Sequence, residues 1–176
     1  MPVAAMKRPD PTEHAPYYGR YVDLVPQGDI CALLEQQIGD TRKLVGGLDE
    51  ARAAHRYAPG KWSIKQVVGH LSDTERIMAC RALRFSRSDA TPVPGFDENT
   101  YSEHAASDER SLKDLLAEFG AVRAATVALF RGMNEGMTAC RGVANNHEVS
   151  VRALAHIIAG HERHHVAILK ERYGVK

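Results

Sequence analysis

The sequence predicts an all-α protein, a four-helix bundle with long loops between its helices. Four segments of about 20 residues carry apolar residues three and four positions apart, the spacing that places side chains on one face of a helix. The segments between them show no convincing strand alternation. The 176 residues suit one domain with its own core. Because each helix must bury its apolar face against another element, a bundle is the expected arrangement. The long loops leave the spatial order of the helices open.

The N-terminal part of the chain is predicted to differ from the rest. Residues 1–27 are expected to form an extended segment, and residues 28–176 the helical bundle domain. The first 27 residues hold five of the eight prolines and show little periodicity, which is typical of a lead-in that lies over a domain. The first helix is expected over about residues 29–48, where Asp29 can cap its start.

The second helix has the clearest start in the sequence. Ser63 stands three residues before Gln66, which is the capping-box pattern. This helix is expected to continue to about residue 88. The third helix is expected over about 109–133 and the fourth over about 150–173, from the same apolar spacing.

Two long loops separate the later helices. Residues 89–108 contain two prolines, a glycine and several Asp, Asn and Ser residues, so a loop is expected there. It is long for a plain connection, and such loops are often functional or partly structured. Phe96 and Tyr101 are its candidate pocket walls. Residues 134–149 carry glycines and an Asn-Asn pair and are expected to form the second loop.

The composition favours a cytoplasmic protein that acts on a small molecule. The net charge of +1 shows no basic excess of the kind that nucleic-acid binders carry. The three widely spaced cysteines make a poor disulfide framework and fit a reducing compartment. No stretch approaches the roughly 20 apolar residues that a membrane span needs. We therefore expect neither a nucleic-acid nor a membrane partner.

Two of the nine histidines lie on the apolar face of the fourth helix. His161 and His165 continue a row of apolar residues that faces the bundle interior. They lie one turn apart and about 40° around the helix axis, so both imidazoles can reach one point. A buried imidazole needs a partner. A shared metal ion would serve both, and two core histidines bonded to backbone or carboxylate groups are the alternative.

His70 is the candidate third ligand. It lies on an apolar row of the second helix and is the only histidine in the middle of any of the first three helices. His70, His161 and His165 would form a three-histidine site with an open position, which is typical of catalytic ions. Asp73 and Glu75 lie nearby as a possible fourth ligand or supporting carboxylates. An exposed or salt-bridged charge is the simpler interpretation, and it is preferred for Glu75.

Residues 161–165 also satisfy the H-E-x-x-H pattern of zincin metalloproteases, in which the glutamate is the general base. A protease remains a minor alternative. Only eleven residues follow His165, which leaves little room for the usual downstream ligand. No strand signal beside the helix suggests a surface for a peptide. Glu162 can instead be a solvent-exposed helix charge.

Three segments together resemble the DinB/YfiT-like superfamily, which is unrelated to the DNA polymerase of the same name. Residues 60–76, G-K-W-S-I-K-Q-V-V-G-H-L-S-D-T-E-R, resemble its W-S-x-x-x-x-x-x-H-L-x-D-x-E segment. Residues 93–97, V-P-G-F-D, resemble its loop after the second helix, and residues 161–165 its last-helix motif. The resemblance covers about residues 25–172, most of the chain.

The resemblance implies a four-helix bundle, often in a homodimer, whose zinc or nickel ligands match His70, His161 and His165. Members of this family include transferases and isomerases that use low-molecular-weight thiols such as bacillithiol or mycothiol, and others are labelled metal-dependent hydrolases. The expected function is a metal-dependent enzyme of the thiol-dependent S-transferase type, in which the ion activates a low-molecular-weight thiol. A hydrolase using a metal-activated water and a non-catalytic metal-binding or stress-response protein are the alternatives.

Overall fold

The computed structural model describes residues 6–176; the first five residues of the predicted extended segment lie outside the described part. In chain order the helices are α1 (Gly19–Val22), α2 (Ile30–Val45), α3 (Glu50–Ala53), α4 (Ile64–Ser86), α5 (Glu98–His104), α6 (Leu112–Arg131), α7 (Glu135–Ala139) and α8 (Val151–Glu171), and the strands are β1 (Arg141–Ala144) and β2 (His147–Ser150). Single 3-10 turns occur at Pro11–Glu13, Pro16–Tyr18 and Ser107–Glu109. Among the described residues, no helix combines the length and the apolar character needed to cross a bilayer.

The four long helices α2, α4, α6 and α8 form the predicted four-helix bundle. Helix α4 packs against α6 and α8, and α2 packs against the same two helices. The consecutive helices α2 and α4 therefore occupy diagonal positions, as do α6 and α8. The long connections allow this order. It places α4 directly beside α8, and these two helices carry the three candidate metal ligands.

The long helices begin at capping residues, and the sequence predicts those of α2 and α4. The Asp29 carboxylate caps α2, and Ser63 and Gln66 form the capping box of α4. The third long helix begins slightly later than predicted, because Ser111 caps α6 while residues 107–109 form a separate turn. Capping satisfies backbone N–H groups that have no partner within the helix.

The segment 134–149, predicted to be a loop, contains a short helix and most of a β-hairpin. Strands β1 and β2 pair in antiparallel register around the two-residue turn Asn145-Asn146. Both asparagines have positive φ, 50° and 63°, as a type I′ turn requires. The prediction of a plain loop over residues 134–149 was therefore wrong, whereas the four-helix bundle itself is confirmed. Each strand is only four residues long, too short for alternation to be recognised.

The loop 89–108 is partly structured and is tied to its surroundings at two points. It contains α5, and Val93 forms a parallel bridge with Ala144 of the hairpin. Arg81 of α4 donates a 2.8 Å hydrogen bond to the carbonyl of Pro94. These contacts hold the loop and the hairpin together beside α4.

The N-terminal segment packs directly on α8. Tyr21, Val22 and Val25 are buried in the same apolar cluster as residues of α8. Gly160 makes this approach possible, because a Cβ atom at that position would collide with the backbone carbonyl of Tyr21. The segment is therefore part of the core, and Tyr21 is brought close to His161.

Candidate metal centre

The three histidines predicted as ligands meet between α4 and α8. The Nε2 atom of His161 lies 2.9 Å from Nε2 of His70 and 3.1 Å from Nε2 of His165. The three potential ligand atoms all lie within 4.8 Å of one another. His70 and His161 are buried and His165 is half-buried. The arrangement follows from the one-turn spacing of His161 and His165 and from the direct packing of α4 on α8.

Hydrogen bonding alone does not satisfy these three nitrogens. His161 Nε2 faces two partners, whereas a neutral imidazole nitrogen either donates one proton or accepts at one lone pair. Burial lowers the pKa of His70 to about 4. Burial, assisted by the neighbouring imidazoles, lowers the pKa of His161 and His165 well below the usual range. The neutral form, which is the metal-binding form, is therefore favoured.

The spacing of the nitrogens also fits a divalent ion. A tetrahedral ion bound by imidazoles at about 2.0–2.1 Å sets the nitrogens about 3.3 Å apart. The two shorter separations, 2.9 and 3.1 Å, are close to that value. The residues present therefore suit a metal ion in donor type, in protonation and in two of their three separations, while their role as ligands stays a prediction.

Aromatic side chains enclose the imidazoles. The ring centroid of Trp62 lies 4.7 Å from that of His70, and the indole stacks on His165 at 6.4 Å and 18°. The Tyr21 ring packs edge-on against His161, with centroids 5.4 Å apart. Such contacts restrict the ring orientations and limit the access of water to the site.

A cavity of about 320 Å³ reaches His161. Its walls come from the N-terminal segment, α4, the loop 89–108, the hairpin and α8. The larger apolar side chains that line it are Tyr17, Tyr18, Tyr21, Met78, Phe96 and Ile157. The polar side chains that line it are Thr74, Glu98, Asn145 and His147. Of the two candidate pocket walls, Phe96 lines the cavity. Tyr101 packs on the Phe96 ring and remains largely exposed. A concave, mostly apolar space with a few polar groups is typical of small-molecule sites.

Glu162 does not belong to the histidine cluster. Its carboxylate accepts hydrogen bonds from Gln37 Nε2 at 2.8 Å, Thr41 Oγ1 at 2.6 Å and Arg123 at 2.8 Å. At 1% exposure it is not the solvent-exposed charge expected from the sequence. Arg123 also donates two hydrogen bonds to the carboxylate of Glu75. The resulting buried ion cluster connects α2, α4, α6 and α8, and it offers no general base of the zincin kind.

The other candidate residues have separate roles. Glu75 is salt-bridged as expected, although it is buried. Asp73 lies 3.5 Å from Arg76, and burial raises the pKa of its carboxyl group. Of the histidines outside the cluster, His104 bonds to a backbone carbonyl of its own helix and His147 lines the cavity.

Three residues that shape this region were not predicted from the sequence. Arg123 is 1% exposed on the apolar side of α6, and a charge in such a row is a signal for a buried ionic partner. Trp62 stands directly before the capping residue Ser63, and its ring contacts two of the histidines. Tyr21 lies in a tyrosine-rich stretch of the lead-in, a weak signal for an ordered segment.

Comparison with known proteins supports the same architecture. The chain matches the family model of the DinB superfamily over residues 33–169. A protein of Oceanobacillus iheyensis named "Putative metal-dependent hydrolase OB0413" is 29% identical over 139 residues, which cover 76% of this chain and 76% of that protein. The structure of YfiT from Bacillus subtilis, described as "a probable metal-dependent hydrolase with an unusual four-helix bundle topology", matches with a TM-score of 0.72 at 18% identity. The match covers 98% of this chain and 97% of that chain and confirms the fold. Because the family model spans most of the sequence, the chain belongs to the DinB superfamily.

Proposed function

We propose that this protein is a metal-dependent hydrolase acting on a small molecule, with His70, His161 and His165 as the ligands of one divalent ion. The observation that carries the proposal is the convergence of three imidazole nitrogens, held neutral by burial, where a cavity reaches His161. The names of the O. iheyensis protein and of YfiT describe the same reaction class. That agreement supports hydrolysis over the other uses of such a site.

Zinc or nickel is the proposed ion, because neutral imidazole is a good ligand for both. Three protein ligands leave a coordination position open, as in catalytic sites. When bound, such an ion supplies a Lewis acid that polarises a carbonyl oxygen and lowers the pKa of water towards neutrality.

The protein's own side chains bind and orient the substrate. Tyr21, Met78 and Phe96 form apolar walls that exclude bulk water from the reacting group. Asn145 and His147 present polar side chains from the hairpin to the same cavity. These groups can donate hydrogen bonds to a substrate carbonyl. Both residues lie at the tip of the hairpin, and the bridge between Ala144 and Val93 keeps this tip in position.

Two alternatives use the same site differently. In a thiol-dependent S-transferase, a low-molecular-weight thiol replaces water as the nucleophile. That thiol has to come from outside, because none of the cysteines Cys31, Cys80 and Cys140 lines the cavity. In a non-catalytic metal-binding or stress-response protein, the ion serves stability or capture. The cavity at His161 favours a catalytic role, since structural sites are normally closed by four protein ligands.

The first test is the metal content of the untagged protein after incubation with zinc or nickel and dialysis. The wild type should retain about one ion per chain. The variants His70→Ala, His161→Ala and His165→Ala should each lose it while circular dichroism shows that they remain helical. His164→Ala is the matched control, since His164 neighbours His165 on α8 but lies outside the cluster. A wild type that retains no metal contradicts the proposal, as does a metal content that all three substitutions leave unchanged.

The second test separates hydrolysis from thiol transfer. The metal-loaded protein is screened against ester and amide substrates with and without a low-molecular-weight thiol. Turnover without thiol supports the hydrolase. Turnover that requires the thiol and yields an S-substituted product identifies the transferase. Full metal loading without any turnover supports the non-catalytic alternative.

A further inference from the structure

Arg20 is a cation fixed beside the cavity without a carboxylate partner. Its guanidinium lies 3.9 Å from the ring centroid of Tyr17 and 4.8 Å from that of Tyr21. The same group donates hydrogen bonds to both tyrosine hydroxyls, at 2.9 Å in the case of Tyr21. Among residues 6–176, no Asp or Glu forms a salt bridge with it. An exposed guanidinium that is already oriented, with its charge uncompensated, is suited to bind an anion.

Tyr21 connects this cation to the histidines. The ring on which Arg20 lies packs edge-on against both His161 and His164, each with a centroid separation of 5.4 Å. Tyr17 and Tyr21 also line the cavity that reaches His161. Arg20 therefore contacts two of the residues that line the same cavity.

The charges around the cavity leave one favourable place for an anionic group. Glu98 on α5 is the one carboxylate among the described lining residues, and it repels an anion from its own wall. No Lys or Arg is among the described lining residues. Arg20 is a cation that contacts two of the lining residues, Tyr17 and Tyr21, on the side formed by α1.

We infer that the substrate is an acyl compound that carries a carboxylate several bonds away from the group that reacts, and that Arg20, held by Tyr17 and Tyr21, binds this carboxylate. The aromatic rings keep the guanidinium in place, so that little side-chain freedom is lost when the anion binds. The reaction at the histidines rests on the proposed function, whereas the anion site rests on the contacts of Arg20 with Tyr17 and Tyr21.

A pair of ester probes of equal length tests the inference with the zinc-loaded protein. The neutral probe is 4-nitrophenyl valerate, and the anionic probe is mono-4-nitrophenyl glutarate, in which a carboxylate replaces the terminal methyl group. In the wild type the glutarate ester should have the lower KM. Arg20→Gln should raise that KM about tenfold relative to the KM of the valerate ester, the effect of losing one charge-assisted hydrogen-bonded contact.

Arg172→Gln is the matched control. Arg172 is also an exposed arginine that lies over a tyrosine ring, at 5.6 Å from Tyr57, and bonds to its hydroxyl. It is outside the cavity lining. This variant should leave both KM values unchanged, and Arg20→Lys should recover part of the preference for the glutarate ester.

A binding measurement keeps the test independent of turnover. Glutarate is titrated calorimetrically into the zinc-loaded wild type and into the zinc-loaded Arg20→Gln variant. A dissociation constant about tenfold higher in the variant supports the anion site even if neither ester is hydrolysed, in which case only the hydrolase proposal fails. Equal binding in the two proteins, or no binding in the wild type, overturns the inference. An equal rise of KM for both esters in Arg20→Gln also overturns it, because that result means a general disturbance of the cavity.

Discussion

Replacing Glu162 with glutamine distinguishes a residue that stabilises the bundle from one that performs the chemistry. The carboxylate accepts hydrogen bonds from Gln37, Thr41 and Arg123, and both side chains of its salt bridge are 2% exposed. Glutamine keeps the shape but replaces one acceptor oxygen with a donor and removes the charge. Hydrogen bonds to charged groups contribute about 1.5–3 kcal/mol each, and breaking a buried ion pair costs about 3–5 kcal/mol.

Arg123 retains its two hydrogen bonds to Glu75 in this variant, so the loss should fall at the lower end of that range. We expect Glu162→Gln to lower the free energy of unfolding by about 3 kcal/mol. Urea unfolding of the metal-free protein measures this change. The control is Glu171→Gln, an exposed position on the same helix, which should stay within about 0.5 kcal/mol of the wild type.

The metal content and the hydrolysis rate per bound metal ion should change little in Glu162→Gln. The Glu162 carboxylate bonds to Gln37, Thr41 and Arg123 and not to the histidines. A general base in an H-E-x-x-H site would behave in the opposite way. A hydrolysis rate lowered by about 100-fold or more together with unchanged stability would refute the reasoning. That outcome would also restore the protease alternative.

Three further predictions concern the fold, the site and the assembly. Gly160→Ala should displace the segment around Tyr21 and lower the free energy of unfolding by about 1–3 kcal/mol. Gly39 on α2 has open space for a Cβ atom, so Gly39→Ala should instead raise the free energy of unfolding by about 0.5–1 kcal/mol. Urea unfolding compares the two variants. Because burial lowers the pKa of His70 from 6.5 to about 4, the unfolded chain binds a proton that the folded metal-free protein excludes, so stability should fall as the pH falls from about 6.5 to about 4, by about 3 kcal/mol from this residue. His70→Asn should make that part of the pH profile less steep, with His161 and His165 contributing the remaining slope, and a stability that rises towards pH 4 would contradict the assignment. The homodimer implied by the family resemblance also stays a prediction. Sedimentation equilibrium measures it, and a monomer mass at all concentrations would reject it.

The bundle and the three histidines were predictable because helical periodicity converts spacing in the sequence into position in space. His161 and His165 share a face of α8 wherever that helix packs. His70 followed from its place on the apolar row of the adjacent helix. Glu162 was not predictable in the same way, because the partners that bury it lie on α2 and α6, and no local pattern pairs them with α8.

The cavity could not be derived from the sequence, because its walls come from five parts of the chain that meet only in the folded protein. Phe96 was a candidate wall for its place in a long loop, but nothing in the sequence places Asn145 or Tyr21 opposite it. The hairpin that carries Asn145 was missed because four-residue strands give too little alternation. Its Asn-Asn turn was the usable signal, since asparagine tolerates positive φ.

The tyrosine wall of the cavity and the histidine cluster belong to different parts of the chain. The histidines lie within residues 33–169, the portion that the family model describes, whereas Tyr17, Tyr21 and Arg20 precede it. Substitutions at the exposed positions Tyr17 and Arg20 can therefore alter which molecules enter the cavity, whereas Tyr21 packs on His161 and is tied to the bundle. New substrate preferences can evolve in the lead-in, one surface substitution at a time, while the bundle stays constant.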